Sequence, residues 1–393
     1  MKLFLNECGI VCALGETHAE ISRRLYAGDT GVALSTQWSP GRELPLGCVT
    51  SELPDGAALP LAERSRNNQL ALAALAQIRP QVDAAIARYG AHRVGVVIGT
   101  STSGIAETES AIRAHAEHGE LPASFHYAQQ EMASPATMLA RELKLVGPAY
   151  VHSAACASGA KALVSAARLI RMGMADAVVC GGVDTLCAFT VAGFSALESV
   201  SAQRCNPLSG NRNGINIGEG AALFLMTREP AAVALCGWGE ASDGHHMSAP
   251  DPNGSGARIA IAEALARAGI AAEQIDYINL HGTATIQNDA MESRVVADLF
   301  GAGVAVSSTK ALTGHALGAA AALEAAFCWL AMQDQNVEGQ LPAHLWDGVA
   351  DPLLPHLNTV APGARLGRRL DWALSNSFAF GGSNAALVLG RTQ

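Results

Sequence analysis

The second half of this 393-residue chain echoes the first, and that limits the possible folds more than any other feature. Gly99-Thr100-x-Thr102 follows one apolar run, and Gly282-Thr283-x-Thr285 follows another. Cys156-x-x-Gly159-Ala160 opens a helix of small residues, and so does His315-x-x-Gly318-Ala319. Gly218-Glu219-Gly220 leads into Ala221-Ala222-Leu223, and Gly381-Gly382 leads after two residues into Ala385-Ala386-Leu387. The matches occur in the same order in both halves, which reads as a duplicated unit of about half the chain. The expected boundary puts residues 1–230 in one half and 231–393 in the other. Two such units would pack about a pseudo-twofold axis. Their Ala- and Gly-rich helices could lie between two sheets, because small side chains permit close approach.

Between these landmarks, apolar runs alternate with helical patterns. Residues 3–5 read as a short strand, and Thr17 can cap a helix over residues 18–26 that stops before Gly28. Residues 29–60 are read as irregular, residues 69–78 and 134–143 as helices. Val94-Gly95-Val96-Val97-Ile98 and Ala177-Val178-Val179-Cys180 are continuously apolar, as strands covered by helices on both faces would be. Residues 150–163 begin as a buried strand and turn abruptly into a helix that runs to Gly173, with Cys156 at the turn.

Composition removes several function classes. With 49% apolar and 16% charged residues, the chain can build a large core. A net charge of −9 does not suit a nucleic-acid surface, which needs a basic stripe. The nine cysteines form no C-x-x-C pair and have mostly apolar neighbours, which reads as reduced thiols. At the N-terminus, Asn6-Glu7 interrupts the apolar run too early for a signal peptide. The longest apolar run, residues 318–332, is broken by Glu324 and is shorter than a membrane span. A soluble, cytoplasmic protein is expected.

Three segments carry reactive groups. A thiol at a helix N-terminus faces unpaired N–H groups and the positive end of the dipole, both of which favour the nucleophilic thiolate. The alternative for Cys156 is an inert core cysteine. His281 ends an apolar strand beside Gly282, and His315 opens the helix that mirrors that of Cys156. If the pseudo-twofold holds, Cys156 and His315 meet. Metal binding by one Cys and two His remains an alternative, without an evident fourth ligand. His245 and His246 are expected to face solvent, and Lys161 to snorkel. Cys180 and Cys187 should be core, and Asp289 and Glu292 can satisfy backbone or Lys310.

These motifs resemble those of the elongating β-ketoacyl-acyl carrier protein synthases of the thiolase superfamily. The resemblance spans nearly the whole chain. Its anchors are Ala155-Cys156-Ala157-Ser158-Gly159, His281-Gly282-Thr283-x-Thr285-x-x-Asn288-Asp289-x-x-Glu292, Lys310-x-x-x-Gly314-His315-x-x-Gly318 and Asn376-Ser377-Phe378-Ala379-Phe380-Gly381-Gly382. It implies an α/β thiolase-like fold with duplicated halves in five layers, α/β/α/β/α, and a dimer. It also implies decarboxylative Claisen condensation. Cys156 takes an acyl chain from its carrier protein, the Cys156 and Phe380 N–H groups form an oxyanion hole, and His281 and His315 stabilise the enolate from malonyl carrier protein. Lys310 and Glu324 would support the site, Phe380 would gate it, and Thr102, Phe378, Thr283 and Thr285 would bind substrate. No cofactor and no metal are implied. The expected partners are acyl- and malonyl-loaded carrier protein and a second ketosynthase-like subunit, identical or related; neither nucleic acid nor membrane is expected. Arg64, Arg66 and Arg204 are candidates for carrier docking.

The pathway is read as fatty acid, type II polyketide or aryl polyene synthesis. Two departures stand out: Ala379 replaces a common Gly, and Thr102 replaces a bulky tunnel residue, which suggests an altered acyl pocket. The rival readings are a chain-length-factor-like subunit and a thiolase-fold acyltransferase or hydrolase.

Overall fold

A computed structural model describes residues 2–392, so Met1 and Gln393, the outermost positions of the two expected halves, lie outside the described residues. The strands are Leu3–Cys12 (β1), Ala33–Ser35 (β2), Leu44–Leu46 (β3), Val94–Gly99 (β4), Ala149–His152 (β5), Ala177–Asp184 (β6), Gly220–Thr227 (β7), Val233–Ser242 (β8), Tyr277–Asn279 (β9), Ala305–Ser307 (β10), Asn358–Thr359 (β11), Trp372–Ala379 (β12) and Ser383–Arg391 (β13). The helices are His18–Ala27 (α1), Arg66–Tyr89 (α2), Ile105–His118 (α3), Ser134–Glu142 (α4), Ser158–Arg171 (α5), Ala188–Ala196 (α6), Ser255–Ala268 (α7), Ile286–Phe300 (α8), Lys310–Thr313 (α9) and Ala320–Ala331 (α10).

Eleven strands share one sheet in the order β11-β10-β9-β12-β13-β8-β1-β7-β6-β4-β5. Its joint is narrow: β1 and β8 pair only through Leu3↔Leu235 and Phe4↔Ala234. Outward from that joint, one side runs β1, β7, β6, β4, β5 and the other β8, β13, β12, β9, β10. Each side therefore runs first strand, last, next-to-last, second, third. The same winding occurs twice, and the motif pairs of the sequence fall on equivalent strands. β11 extends the second side.

Three apolar clusters account for the five layers. Leu70, Ala74 and Ile78 of α2 and Met138 of α4 pack on Val96 and Val179 of the first side. Ile261 of α7 and Val295 of α8 pack on Ile278 and Leu374 of the second. Between the two sides, Ala160, Leu163 and Ala167 of α5 meet Ala319, Ala322 and Leu323 at and beside α10. The two helices come so close that a Cβ on Gly159 would lie 2.8 Å from the Ala322 nitrogen, which is why glycine stands there.

Local signals explain most element ends. Thr17 caps α1 by accepting from the Glu20 N–H, and Gly28 closes it at φ 75°. Several elements exceed their expected length. β1 continues to Cys12 through a bulge between Leu5 and Glu7, because residues 8–12 are buried again beyond the polar pair. The α2 helix runs from Arg66 to Tyr89, past Pro80, because the proline is exposed while Val82 and Ala85 continue the buried stripe. Residues 29–60 hold the β2–β3 hairpin as well as irregular turns. Helix α3 was not legible in the sequence: only Ala106 and Ala111 are buried, so its apolar stripe is weak. Among the described residues, no helix is long and apolar enough to cross a membrane.

Candidate active site

Cys156 sits in the tight turn between β5 and α5, two residues before the helix begins. Ala155 takes a left-handed φ of 48° there, a conformation that costs an alanine energy and is kept only where the surroundings enforce it. Ser158 Oγ accepts from the Ala154 N–H at 2.8 Å and donates to the Ala155 carbonyl at 2.6 Å, which holds the turn. Gly99 closes it from beneath: a Cβ there would lie 2.4 Å from the Gly159 nitrogen.

His315 occupies the matching place in the second half, before a short 3-10 turn (Leu317–Ala319) that leads into α10. Its Nε2 lies 3.0 Å from Cys156 Sγ. The His281 ring stands almost perpendicular to the His315 ring, at 83° and 5.4 Å between centroids. His281 lies two residues beyond β9 rather than in it, and Gly282 beside it has φ 42°. Glu292 clamps that turn, accepting from the His281 N–H at 2.8 Å and the Gly282 N–H at 2.7 Å. The carboxylate thus serves backbone, not Lys310, and Asp289 likewise accepts from the Leu208 and Ala284 N–H groups.

The electrostatics are those of a deeply buried site. Burial pushes the Cys156 thiol up to about 12; Lys310 opposes this, and Glu324 and Asp184 add to it. Burial thus works against the thiolate that helix position favours. Burial also holds His281 and His315 well below the ordinary histidine range, with Lys310 acting in the same direction. Both rings are neutral at pH 7. Their Nδ1 atoms have no partner among the described residues, so neither tautomer is pinned. Lys310 Nζ forms a buried salt bridge with Glu324, whose carboxyl burial raises to about 7 against the pull of that lysine.

A cavity of about 50 Å³ opens onto Cys156, His281 and His315, with Thr283, Thr285, Phe378 and Phe380 in its wall. It has room for a few water molecules. Phe380 leans on Phe194 of α6, 5.5 Å between ring centroids. Gly381 and Gly382 follow at φ 78° and 71° and give that segment conformational freedom. Ala379 is extended at φ −93°, so its Cβ causes no strain in this state.

The family model described as the β-ketoacyl synthase N-terminal domain matches residues 63–232, and that of the C-terminal domain matches residues 232–344. The chain belongs to the β-ketoacyl synthase family. One relative of this β-ketoacyl synthase, the 3-oxoacyl-[acyl-carrier-protein] synthase 2 of Coxiella burnetii, is 30% identical over 99% of the chain and 98% of its own length. A solved ketosynthase in complex with its chain length factor, from Xenorhabdus doucetiae, matches with a TM-score of 0.93 and 44% identity over 100% of this chain and 98% of that one. A β-ketoacyl synthase from Burkholderia phymatum matches with a TM-score of 0.86 and 28% identity over 100% of both chains. The thiolase-like fold expected from the motifs stands.

Two expectations need correction in this β-ketoacyl synthase. Thr102 does not border the cavity. It is fully buried, and its N–H and hydroxyl donate to Asp184 Oδ1 at 2.9 Å each, so a small hydrogen-bonding residue is needed there. Arg66 is not a free docking residue. Its half-buried guanidinium donates to both oxygens of the buried Glu219, at 3.0 and 2.6 Å. Arg64 is exposed, although it also donates to the Leu59 and Ala57 carbonyls, and Arg204 is half-buried. Lys161 pairs with Glu240, Cys180 and Cys187 are buried, and His245 and His246 are exposed. Sequence reasoning missed Asp184 and His344. The Ser/Thr run at residues 100–103 was the available signal for Asp184. Nothing local marked His344, which accepts from the Ser308 N–H and contacts the Pro207 carbonyl.

Proposed function

We propose that this chain is a 3-oxoacyl-[acyl-carrier-protein] synthase that lengthens a carrier-bound acyl chain by decarboxylative condensation. The observation that carries this reading is the 3.0 Å contact of His315 Nε2 with Cys156 Sγ, with His281 at right angles beside it. In the first half-reaction the Cys156 proton passes to His315 Nε2 and the sulfur attacks the acyl thioester. The carrier thiolate departs with that proton, leaving the acyl group on Cys156. The N–H groups of Cys156 and Phe380 hold the oxyanion.

In the second half-reaction the acylated sulfur no longer engages His315. Both neutral rings can then turn an N–H toward the malonyl thioester carbonyl. Loss of carbon dioxide sends the bonding electron pair into the enolate, which those N–H groups stabilise. The enolate carbon attacks the acyl carbonyl, and Cys156 leaves as thiolate to recover a proton. The enolate forms without a cofactor, because the departing carboxylate leaves its electron pair behind. Rings held neutral by burial suit this task near pH 7.

Thr283, Thr285 and Phe378 would seat the pantetheine arm, Lys310 and Glu324 would support the histidines, and Phe380 would swing away from Phe194 to admit substrate. The partners would be acyl- and malonyl-loaded carrier protein, docking near Arg64 and Arg204, and a ketosynthase-like subunit, identical or related. The named complex of ketosynthase with chain length factor supports a related one. Two halves meeting at residues 230 and 231, and a cytoplasmic setting, complete the reading.

The test is intact-protein mass after mixing with acyl carrier protein thioester and then malonyl carrier protein, with Cys156→Ala as control. An adduct that disappears with release of carbon dioxide and an elongated product supports a condensing enzyme. An adduct released only as free acid would make the chain a hydrolase, and none with any chain would favour the chain-length-factor reading.

A further inference from the structure

Asp184, at the end of β6, is the least expected group near the site. It is fully buried and has no salt bridge among the described residues. Its Oδ1 accepts from Thr100 Oγ1 at 2.6 Å, from the Ser101 N–H at 2.8 Å, and from the Thr102 N–H and hydroxyl at 2.9 Å each. Its Oδ2 accepts from Ser101 Oγ and, across the two halves, from the Gly318 N–H at 2.6 Å.

Burial raises the Asp184 carboxyl above the ordinary carboxylate range, and the donors from Ser101, Thr100 and Thr102 oppose that shift in place of a cation. Gly318 lies three residues after His315, in the turn that enters α10. It cannot be another residue, because a Cβ there would lie 2.7 Å from Asp184 Oδ2 and from the Ser101 nitrogen. On the other side, β4, which leads into Thr100, packs through Gly99 on the first turn of α5, just after Cys156. Asp184 thus ties the turn beneath the Cys156 helix to the turn that follows His315.

We propose that Asp184 is a positioning residue that sets the Cys156–His315 distance by anchoring the Gly318 N–H to the Thr100–Thr102 turn. It touches no reacting atom and acts through the backbone that aims His315 at the sulfur. The inference rests on Cys156 acting as the acyl acceptor.

The test compares the wild type, Asp184→Asn and the double variant Ser101→Ala/Thr102→Val in single-turnover acylation by acyl carrier protein thioester. Asparagine would turn an N–H toward one of the backbone N–H donors, so the Gly318 anchor or the 100–102 turn is lost. The expected result is a maximal acylation rate lowered by roughly tenfold or more, because a misplacement of about 1 Å at reacting groups has effects of that order. The half-saturation concentration of the carrier thioester should stay within about twofold, since the cavity mouth and docking surface are untouched. The double variant removes two side-chain donors, keeps the carboxylate, and should show a smaller loss of the same kind.

Iodoacetamide labelling of Cys156, read by peptide mass, shows independently of turnover whether the thiol is still present and folded into its site. Unchanged acylation in Asp184→Asn, or a loss carried by the half-saturation concentration alone, would overturn the proposal. If Asp184→Asn does not fold, the double variant decides alone, and a wild-type maximal rate there would also overturn it. Failure of the wild type to acylate, with labelling intact, would instead sink the condensing-enzyme reading.

Discussion

At the scale of single residues, the site is a set of groups whose ordinary charge states have been shifted by burial. The Lys310–Glu324 pair shows this most directly. Both side chains are almost wholly buried, and each compensates the other. Lys310→Met leaves Glu324 unpaired and should lower stability at pH 8 by about 3–5 kcal/mol in urea unfolding. Lys310→Met combined with Glu324→Leu should recover most of that loss, because two apolar groups leave no charge stranded. A double-variant loss equal to the sum of the Lys310→Met and Glu324→Leu losses would mean that the pair does not interact. His344 gives a pH dependence of known sign. Burial lowers it from 6.5 to about 4, so the unfolded chain binds its proton more readily than the folded one. The stability it contributes is therefore full above pH 6.5 and is lost as the pH falls toward 4, about 3 kcal/mol in all. Unfolding midpoints from pH 7 to 4.5 should fall more steeply in the wild type than in His344→Gln.

At the scale of elements, the chemistry depends on how closely backbones approach. Gly99 of β4 lies under the Cys156 turn, and Gly159 of α5 lies against α10. Gly99→Ala would force a Cβ to 2.4 Å from the Gly159 nitrogen and push the first turn of α5 away. The expected cost is about 3 kcal/mol, with a slower acylation that separates it from a distant stability defect. Pro80 offers the opposite case. It interrupts the hydrogen-bond ladder of α2 at an exposed position while buried residues continue beyond it. Pro80→Ala should raise stability by about 1–2 kcal/mol and leave acylation unchanged, as thermal unfolding and the mass assay would show. These two elements also mark what periodicity can convey. The small-residue α5 was readable because its pattern is strong. The length of α2 was not, because proline is a local stop signal that tertiary burial of Val82 and Ala85 overrides.

At the scale of the whole molecule, two repeats bring together groups from distant parts of the chain. Arg66 and Glu219 are 153 residues apart and meet in a part-buried ion pair. Arg66→Ala should therefore destabilise by roughly 1–3 kcal/mol, because the buried Glu219 loses a part-exposed cation but keeps the Val49 and Leu186 N–H donors. Charge reversal at Arg64 and Arg204 should instead raise the KM for carrier-bound substrate with little change in kcat; unaltered KM would remove both from the docking surface. The sequence by itself carried the repeated motifs and the two central small-residue helices, and it marked Cys156, His281 and His315 as candidates, since each lies in a local motif with fixed spacing to a glycine. Only the tertiary structure decided that burial raises the Cys156 thiol, that Thr102 serves Asp184 rather than the cavity, and that Arg66 is engaged by Glu219. The reason is physical: desolvation and long-range hydrogen bonding depend on what surrounds a residue in space, and local sequence patterns record only its neighbours along the chain.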